Sequence, residues 1–170
     1  MAASVAGWVW GMSAAAAETQ SLPVMEPVLE VYVTSGLQPL EPDTPVVPQT
    51  AFDMAMLRAL PVTTFRTSTV WTEGVSEFTG VSLKDFVEAM NVSTGTLSMY
   101  AVNDYVAEVP VSDAIEGGPI LAYLMDGQEM SVRDKGPLWV IYPYDDNPKY
   151  QTEVVYSRSI WQLVKIEIKP

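Results

Sequence analysis

Two kinds of side chain recur together along this sequence. Flat faces stand at Trp71, Tyr105, Tyr142, Tyr144 and Trp161, and fixed hydrogen-bonding groups at Arg66, Asn103, Asp104, Lys135, Asp145 and Arg158. The chemistry open to this combination is recognition of a flat heteroaromatic molecule. An aromatic face stacks on the ring and contributes about 1 kcal/mol beyond burial itself. Carboxylate and carbonyl oxygens accept from ring N–H and amino groups, whereas amide, ammonium and guanidinium groups donate to ring nitrogens and carbonyls. Singly, each residue has a plainer role, because Trp and Tyr build cores and isolated Arg and Lys sit on surfaces. Together they fall at strand ends and tight turns, where binding sites concentrate. The densest run is RDKGPLWVIYPYDDNPKY, Arg133 to Tyr150, where Lys135 precedes a Gly136-Pro137 corner and Trp139, Tyr142 and Tyr144 follow it.

Catalytic chemistry is narrowed by absences. The chain has no cysteine, which excludes disulfides, zinc–thiolate sites, iron–sulfur clusters and thiol nucleophiles. It has no histidine, the commonest general base and transition-metal ligand. Neither GxxxxGK nor GxGxxG occurs, so the phosphate-loop and dinucleotide fingerprints are missing. Asp145-Asp146-Asn147 has oxygens for a hard cation, but lacks the spacing of a calcium loop and precedes Pro148, so it reads as a solvated turn. Ser157 and Ser159 do not stand at Ser-x-x-Lys spacing from Lys165.

At 170 residues, 48% hydrophobic and 18% charged, the chain can build one domain around a core. Its net charge of −12, with no cation before Arg58, argues against nucleic acid or an anionic membrane surface as partner. Residues 1–17 read as an export signal, with Ala15-Ala16-Ala17 before Glu18 as the cleavage site, though without a basic leading region. An exported chain without cysteine suits a bacterial periplasm. No later segment is long and apolar enough to span a bilayer.

The elements that must position these groups are mostly strands. VLEVYV (Val28–Val33) alternates as a strand, and Pro39, Pro42, Pro45 and Pro48 stiffen the loop after it. Thr50 with Asp53 predicts a capping box opening a short helix over AFDMAMLRAL, closed by Pro61. VTTFRTSTVW (Val62–Trp71) is β-branched and reads as a strand. Ser82 with Asp85 opens SLKDFVEAM, where Leu83, Phe86, Val87 and Met90 share one helical face. TLSMYAVN and YVAEVP read as strands joined at Asn103-Asp104. Ser112–Glu116 reads as one helical turn, and Asp126-Gly127 as a hairpin turn of the primed type. GPLWVIYP and IWQLVKIEIK complete a strand-rich α+β single domain with mixed pairing. The expected division is a signal over 1–17, an N-terminal strand and Pro-rich loop over 18–50, and the main domain over 51–170.

The segments LPVTTFRTSTVW…EFTGVSLKDFVEAM, AVNDYVAEVP, ILAYLMDGQEM, KGPLWVIYP and SRSIWQLVKIEI, in that order, resemble the molybdopterin-binding domain of sulfite-oxidase-like oxidoreductases. The resemblance covers roughly residues 55 to 168. It implies a mixed, strand-rich fold holding a pterin in a cleft between loops, with molybdenum bound through a cysteine thiolate. Here Thr67, Ser68, Thr69 and Val70 occupy the neighbourhood of that cysteine, and a hydroxyl is a poor substitute for a soft thiolate. Where the family often has an arginine after the Gly-Pro, useful for a cofactor phosphate, this chain has Trp139.

A cleft stripped of those groups is expected to bind a free, reduced pterin and no metal. Asn103, Asp104 or Asp145 would serve the ring edge, Arg66 and Arg158 its carbonyl or ring nitrogens, and Trp71, Tyr105, Tyr144 or Trp161 its faces. Lys135, Tyr142 and Tyr144 are expected to face the ligand. GPLWVIYP with RSIWQL is particularly similar to small periplasmic pterin-binding proteins, some of which control membrane-bound enzymes of cyclic-di-GMP metabolism. That similarity implies a non-enzymatic sensor or adaptor acting on the periplasmic domain of a membrane signalling protein. The alternatives are a molybdopterin-dependent oxidoreductase or accessory subunit keeping the cofactor through the pterin alone, without a cysteine ligand, and an adaptor whose own side chains fill the pocket.

Overall fold

The computed structural model describes residues 26–34 and 49–170. The expected signal over 1–17 and the run Pro39 to Pro48 lie outside these. Two five-stranded sheets enclose the core, and their strands come from alternating parts of the chain.

The first sheet runs in the order β2 (Thr50–Phe52), β1 (Leu29–Val33), β10 (Leu163–Lys169), β5 (Thr96–Ala101) and β6 (Val106–Pro110). β1 and β10 pair in parallel and the other neighbours antiparallel. Alternation decides which face is buried: Leu29 and Val31 of β1 and Ile166 and Ile168 of β10 point inward. Glu30, Tyr32, Lys165 and Glu167 take the other face, where Tyr100 donates to Glu167 and Lys165 sits 3.7 Å from the Tyr100 ring centroid. Val164 leaves the inward row, because the register of β10 on β5 shifts between Leu163 and Lys165.

The second sheet runs β3 (Val62–Ser68), β4 (Val75–Ser82), β7 (Ile120–Met125) and β8 (Gln128–Glu129), with β9 (Trp139–Ile141) also on β7. The β7–β8 hairpin turns at Asp126 and Gly127, both at positive φ (51° and 76°), as a primed turn requires. Gly80 of β4 lies where a Cβ would strike the Leu121 backbone of β7, so glycine permits that close approach.

Helices are short. In α1 (Met54–Ala59) the capping residue is Asp53, whose side chain accepts from the Met56 N–H, while Thr50–Phe52 pairs with β1. The expected Thr50 capping box is therefore corrected: those residues are drawn into a ladder, and the helix begins later. α2 (Leu83–Ala89) starts at Ser82 and buries Leu83, Phe86 and Val87, following its apolar spacing. The turn expected over Ser112–Glu116 is a 3₁₀ turn at Val111–Asp113. Strand β4 and helix α3 (Glu153–Arg158) have no counterpart in the sequence reading. Among the described residues, no helix is long and apolar enough to cross a membrane.

Candidate functional site

The site is assembled where the β5–β6 turn, the segment after β3 and helix α3 meet. The turn closes by Ala101 N–H donating to the Tyr105 carbonyl (2.9 Å) and Asp104 N–H to the Ala101 carbonyl (3.1 Å). Asp104 holds a positive φ of 63°, a region that Asp tolerates better than most residues. Asn103 Oδ1 accepts from the Tyr105 N–H at 3.3 Å, which sets the direction in which Tyr105 leaves the turn. Its phenol donates to the Ser157 carbonyl at 3.2 Å.

Helix α3 starts at Thr152, whose hydroxyl accepts from the Val155 N–H. At its other end Arg158 pairs with Asp113 at 2.9 Å, and the same Asp113 oxygen accepts from the Tyr142 phenol at 2.8 Å. Ser159 hydroxyl donates to the Val155 carbonyl and accepts from the Tyr144 phenol, and its own carbonyl accepts from the Trp139 indole N–H. The helix is thus fixed at several points to the aromatic strand behind it.

Trp71, half-buried after β3, packs edge-on against Trp139 (5.9 Å between centroids), Tyr144 (6.3 Å), Tyr156 (5.8 Å) and Trp161 (5.7 Å). Such pairs are worth about 0.5–1.5 kcal/mol each beyond burial. Beside this cluster lies a cavity of about 290 Å³ lined by Trp71, Ala101, Asn103, Tyr105, Tyr156, Ser157, Ser159, Ile160 and Trp161. That is close to the low end of ligand pockets, roughly 300 Å³, and suits one small ring system. Its lining holds flat faces, an amide, hydroxyls and a main-chain carbonyl, and no charged side chain.

Of the expected site residues, the cavity gathers Trp71, Asn103, Tyr105 and Trp161. The others lie elsewhere. Tyr142 and Tyr144 are buried in the core, 0% and 2% exposed, with their phenols satisfied by Asp113 and Ser159; they support the cavity from behind rather than facing it. Burial pushes the Tyr144 phenol up to about 12, and burial with the neighbouring Asp113 carboxylate pushes Tyr142 higher still. Lys135 spends its left-handed backbone (φ 74°) on the Gly136-Pro137 corner, and its ammonium lies 5.4 Å over the Trp139 ring. Arg158 is committed to Asp113. Arg66 is exposed on β3 opposite Glu77. Asp104 lines a separate recess with Glu30, Tyr100 and Lys165.

Asp145 is bound to the end of β3. Its carboxylate accepts from the Ser68 hydroxyl and N–H, both at 2.6 Å, and its own N–H donates to Thr67 Oγ1 at 3.1 Å. The Ser68 hydroxyl, and after it the Ser68 N–H, hold this carboxyl below the usual carboxylate range. Tyr156, Ser157, Ser159 and Ile160 are lining residues that the sequence reading missed. The available signal was Thr152 before Glu153, a cap-like pair that α3 uses.

The same contacts test whether a metal-bearing pterin cofactor fits. Thr67, in the neighbourhood of the family's thiolate, is fully buried, its hydroxyl donating to the Ser68 carbonyl and accepting from Asp145 N–H, while the Ser68 hydroxyl is held by Asp145. No soft donor stands there, and the cavity offers no cation for a phosphate. Among the described residues, no group of three or more His, Cys, Asp or Glu could hold a metal ion. The hydroxyls near the family's thiolate position are engaged in hydrogen bonds within the chain, and no soft metal ligand stands beside them.

The model of one family, the oxidoreductase molybdopterin binding domain, matches residues 48–145. The sulfane dehydrogenase SoxCD from Paracoccus pantotrophus has a similar solved structure, with a TM-score of 0.54 and 15% sequence identity. The likeness covers 71% of this chain and 35% of that one, so the chain spans about a third of its length. At that identity the likeness shows the fold, a strand-rich mixed arrangement of the sulfite-oxidase molybdopterin-binding type. No curated protein sequence matches the chain.

Proposed function

We propose, from the premise that this chain belongs to the oxidoreductase molybdopterin-binding domain family, that it binds a free reduced pterin and does so without catalysing a redox reaction. The observation that carries the reading is the uncharged aromatic cavity between the β5–β6 turn and α3. Trp71, Tyr105, Tyr156 and Trp161 supply faces for a bicyclic ring. The Ser157 carbonyl, which accepts from the Tyr105 phenol, can accept in its place from a ring N–H or amino donor, and the Asn103 amide NH₂ can donate to a ring carbonyl or nitrogen. A neutral ring loses little on entering such a cavity, whereas a phosphate would be desolvated without a partner.

Binding has a physical route to a signal. A ring that competes for the Ser157 carbonyl would release Tyr105, so a partner that distinguishes the two arrangements of the turn would sense occupancy. An exported location and a membrane-bound signalling partner accompany this reading and rest on sequence alone; cell fractionation and cross-linking in the native host test both.

Native mass spectrometry and metal analysis of protein purified from a host that makes molybdenum cofactor test the binding reading. A co-purifying metal-free pterin is the expected result. Stoichiometric molybdenum would favour the oxidoreductase alternative and contradict this reading.

A further inference from the structure

The outer edge of β3 is a second feature, independent of the cavity. Which of its backbone groups point outward follows from two contacts. The Ser68 N–H leaves the ladder to reach Asp145, and the Glu77 carbonyl and N–H, opposite Arg66, are directed to Asp126 beyond β4. The bonded pairs between β3 and β4 are therefore those of Thr63, Phe65 and Thr67. Val62, Thr64, Arg66 and Ser68 aim their N–H and carbonyl groups away from the sheet, since direction alternates along a strand.

This free run ends at Ser68, whose N–H is occupied by Asp145. Val62, Thr64 and Arg66 remain, with exposed side chains and no paired strand among the described residues. Within β3 there is no lysine, proline or bulge of the kind that protects an edge.

We infer that two copies of this chain pair antiparallel through this edge, with Thr64 on the two-fold axis. That register uses the uncapped groups alone: Thr64 meets Thr64 of the second copy, and Val62 meets Arg66 in both directions. Thr–Thr pairs are favourable across strands, and no like charges stand directly opposite. Charge permits the same place. The chain carries −12 overall, yet β3 contains no carboxylate and one arginine, Arg66, opposite Glu77, while Arg58 is held by Glu129 on β8 at the other end of the sheet. Two acidic molecules repel least where strands without a carboxylate meet.

The absence of cysteine from the chain makes the test direct. In a bonded antiparallel pair, opposed Cα atoms lie about 5.5 Å apart, inside the range a disulfide spans. Thr64→Cys is expected to cross-link to itself under mild oxidation, at least tenfold faster than Val70→Cys, an exposed control outside the edge. Sedimentation of the wild type should show the mass rising to twice the monomer with concentration, and Thr64→Pro should remove that rise. If Thr64→Pro does not fold, the two cysteine variants still decide. Equal cross-linking of both, or a monomer at every concentration, overturns the inference, even if the edge then accepts a strand from another protein.

Discussion

The phenol of Tyr105 donates to the main-chain carbonyl of Ser157 across 3.2 Å, tying the β5–β6 turn to helix α3, and both elements line the aromatic cavity. Tyr105 is half exposed, so the bond is the kind a ligand can exchange. A neutral hydrogen bond is worth about 0.5–1.5 kcal/mol net. Tyr105→Phe keeps the ring and is expected to change pterin affinity by less than about tenfold. Tyr105→Ala removes the face as well and should weaken binding further. Quenching of tryptophan fluorescence, with Trp71 and Trp161 beside the cavity, reads both constants.

Trp71 holds the aromatic cluster together. Because it contacts Trp139, Tyr144, Tyr156 and Trp161 at once, Trp71→Ala is expected to lower stability by about 3 kcal/mol, as large-to-small changes in packed sites do. Trp71→Phe should lose about half of that. Denaturant unfolding gives both numbers, and an unchanged midpoint for Trp71→Ala would contradict the packing described.

The buried phenols set the alkaline limit. Tyr144 and Tyr100 are raised from the ordinary value of 10.0 to about 12, Tyr144 by burial and Tyr100 first by its bond to Glu167; Tyr142 is raised further by burial. A raised folded value means that the unfolded chain releases its proton first. The stabilisation is whole below pH 10 and is lost as pH climbs from 10 towards about 12. A spectrophotometric titration is expected to show these phenols ionising together with unfolding. Smooth ionisation of every tyrosine near 10 in a folded protein would contradict it.

At the acid end the sign is reversed. Ser68 holds the Asp145 carboxyl below its ordinary value of 3.8, so the contribution is whole above that value and is lost as pH falls through the folded one. Asp145→Asn is therefore expected to flatten stability against pH below about pH 4. Denaturation midpoints measured across that range check it, and identical profiles for both proteins would contradict it.

What the sequence made legible was local. Ser82 and the spacing of Leu83, Phe86 and Val87 specify α2 within a single turn-by-turn pattern. Asp126-Gly127 specifies its hairpin because both residues accept positive φ. Trp71, Asn103, Tyr105 and Trp161 stood out by type, and the fold brings them together. What stayed hidden depends on distant partners. Asp145 meets Ser68 from 77 positions away, and no local rule distinguishes that contact from a solvated turn. Tyr142 and Tyr144 were read as ligand-facing, yet the segment after β9 is wrapped by α3 and its phenols face Asp113 and Ser159. Helix α3, six residues long, is too short for a period to register, and with it went Tyr156 and Ser157.

Calorimetric titration of the metal-free protein with tetrahydropterin, wild type beside Trp161→Ala, asks whether the cavity between the β5–β6 turn and α3 takes an uncharged pterin ring. Saturable one-to-one binding by the wild type and at least about tenfold weaker binding by the variant, equivalent to 1.4 kcal/mol, are expected. No binding to the folded wild type, or equal binding by both proteins, would contradict pterin binding there.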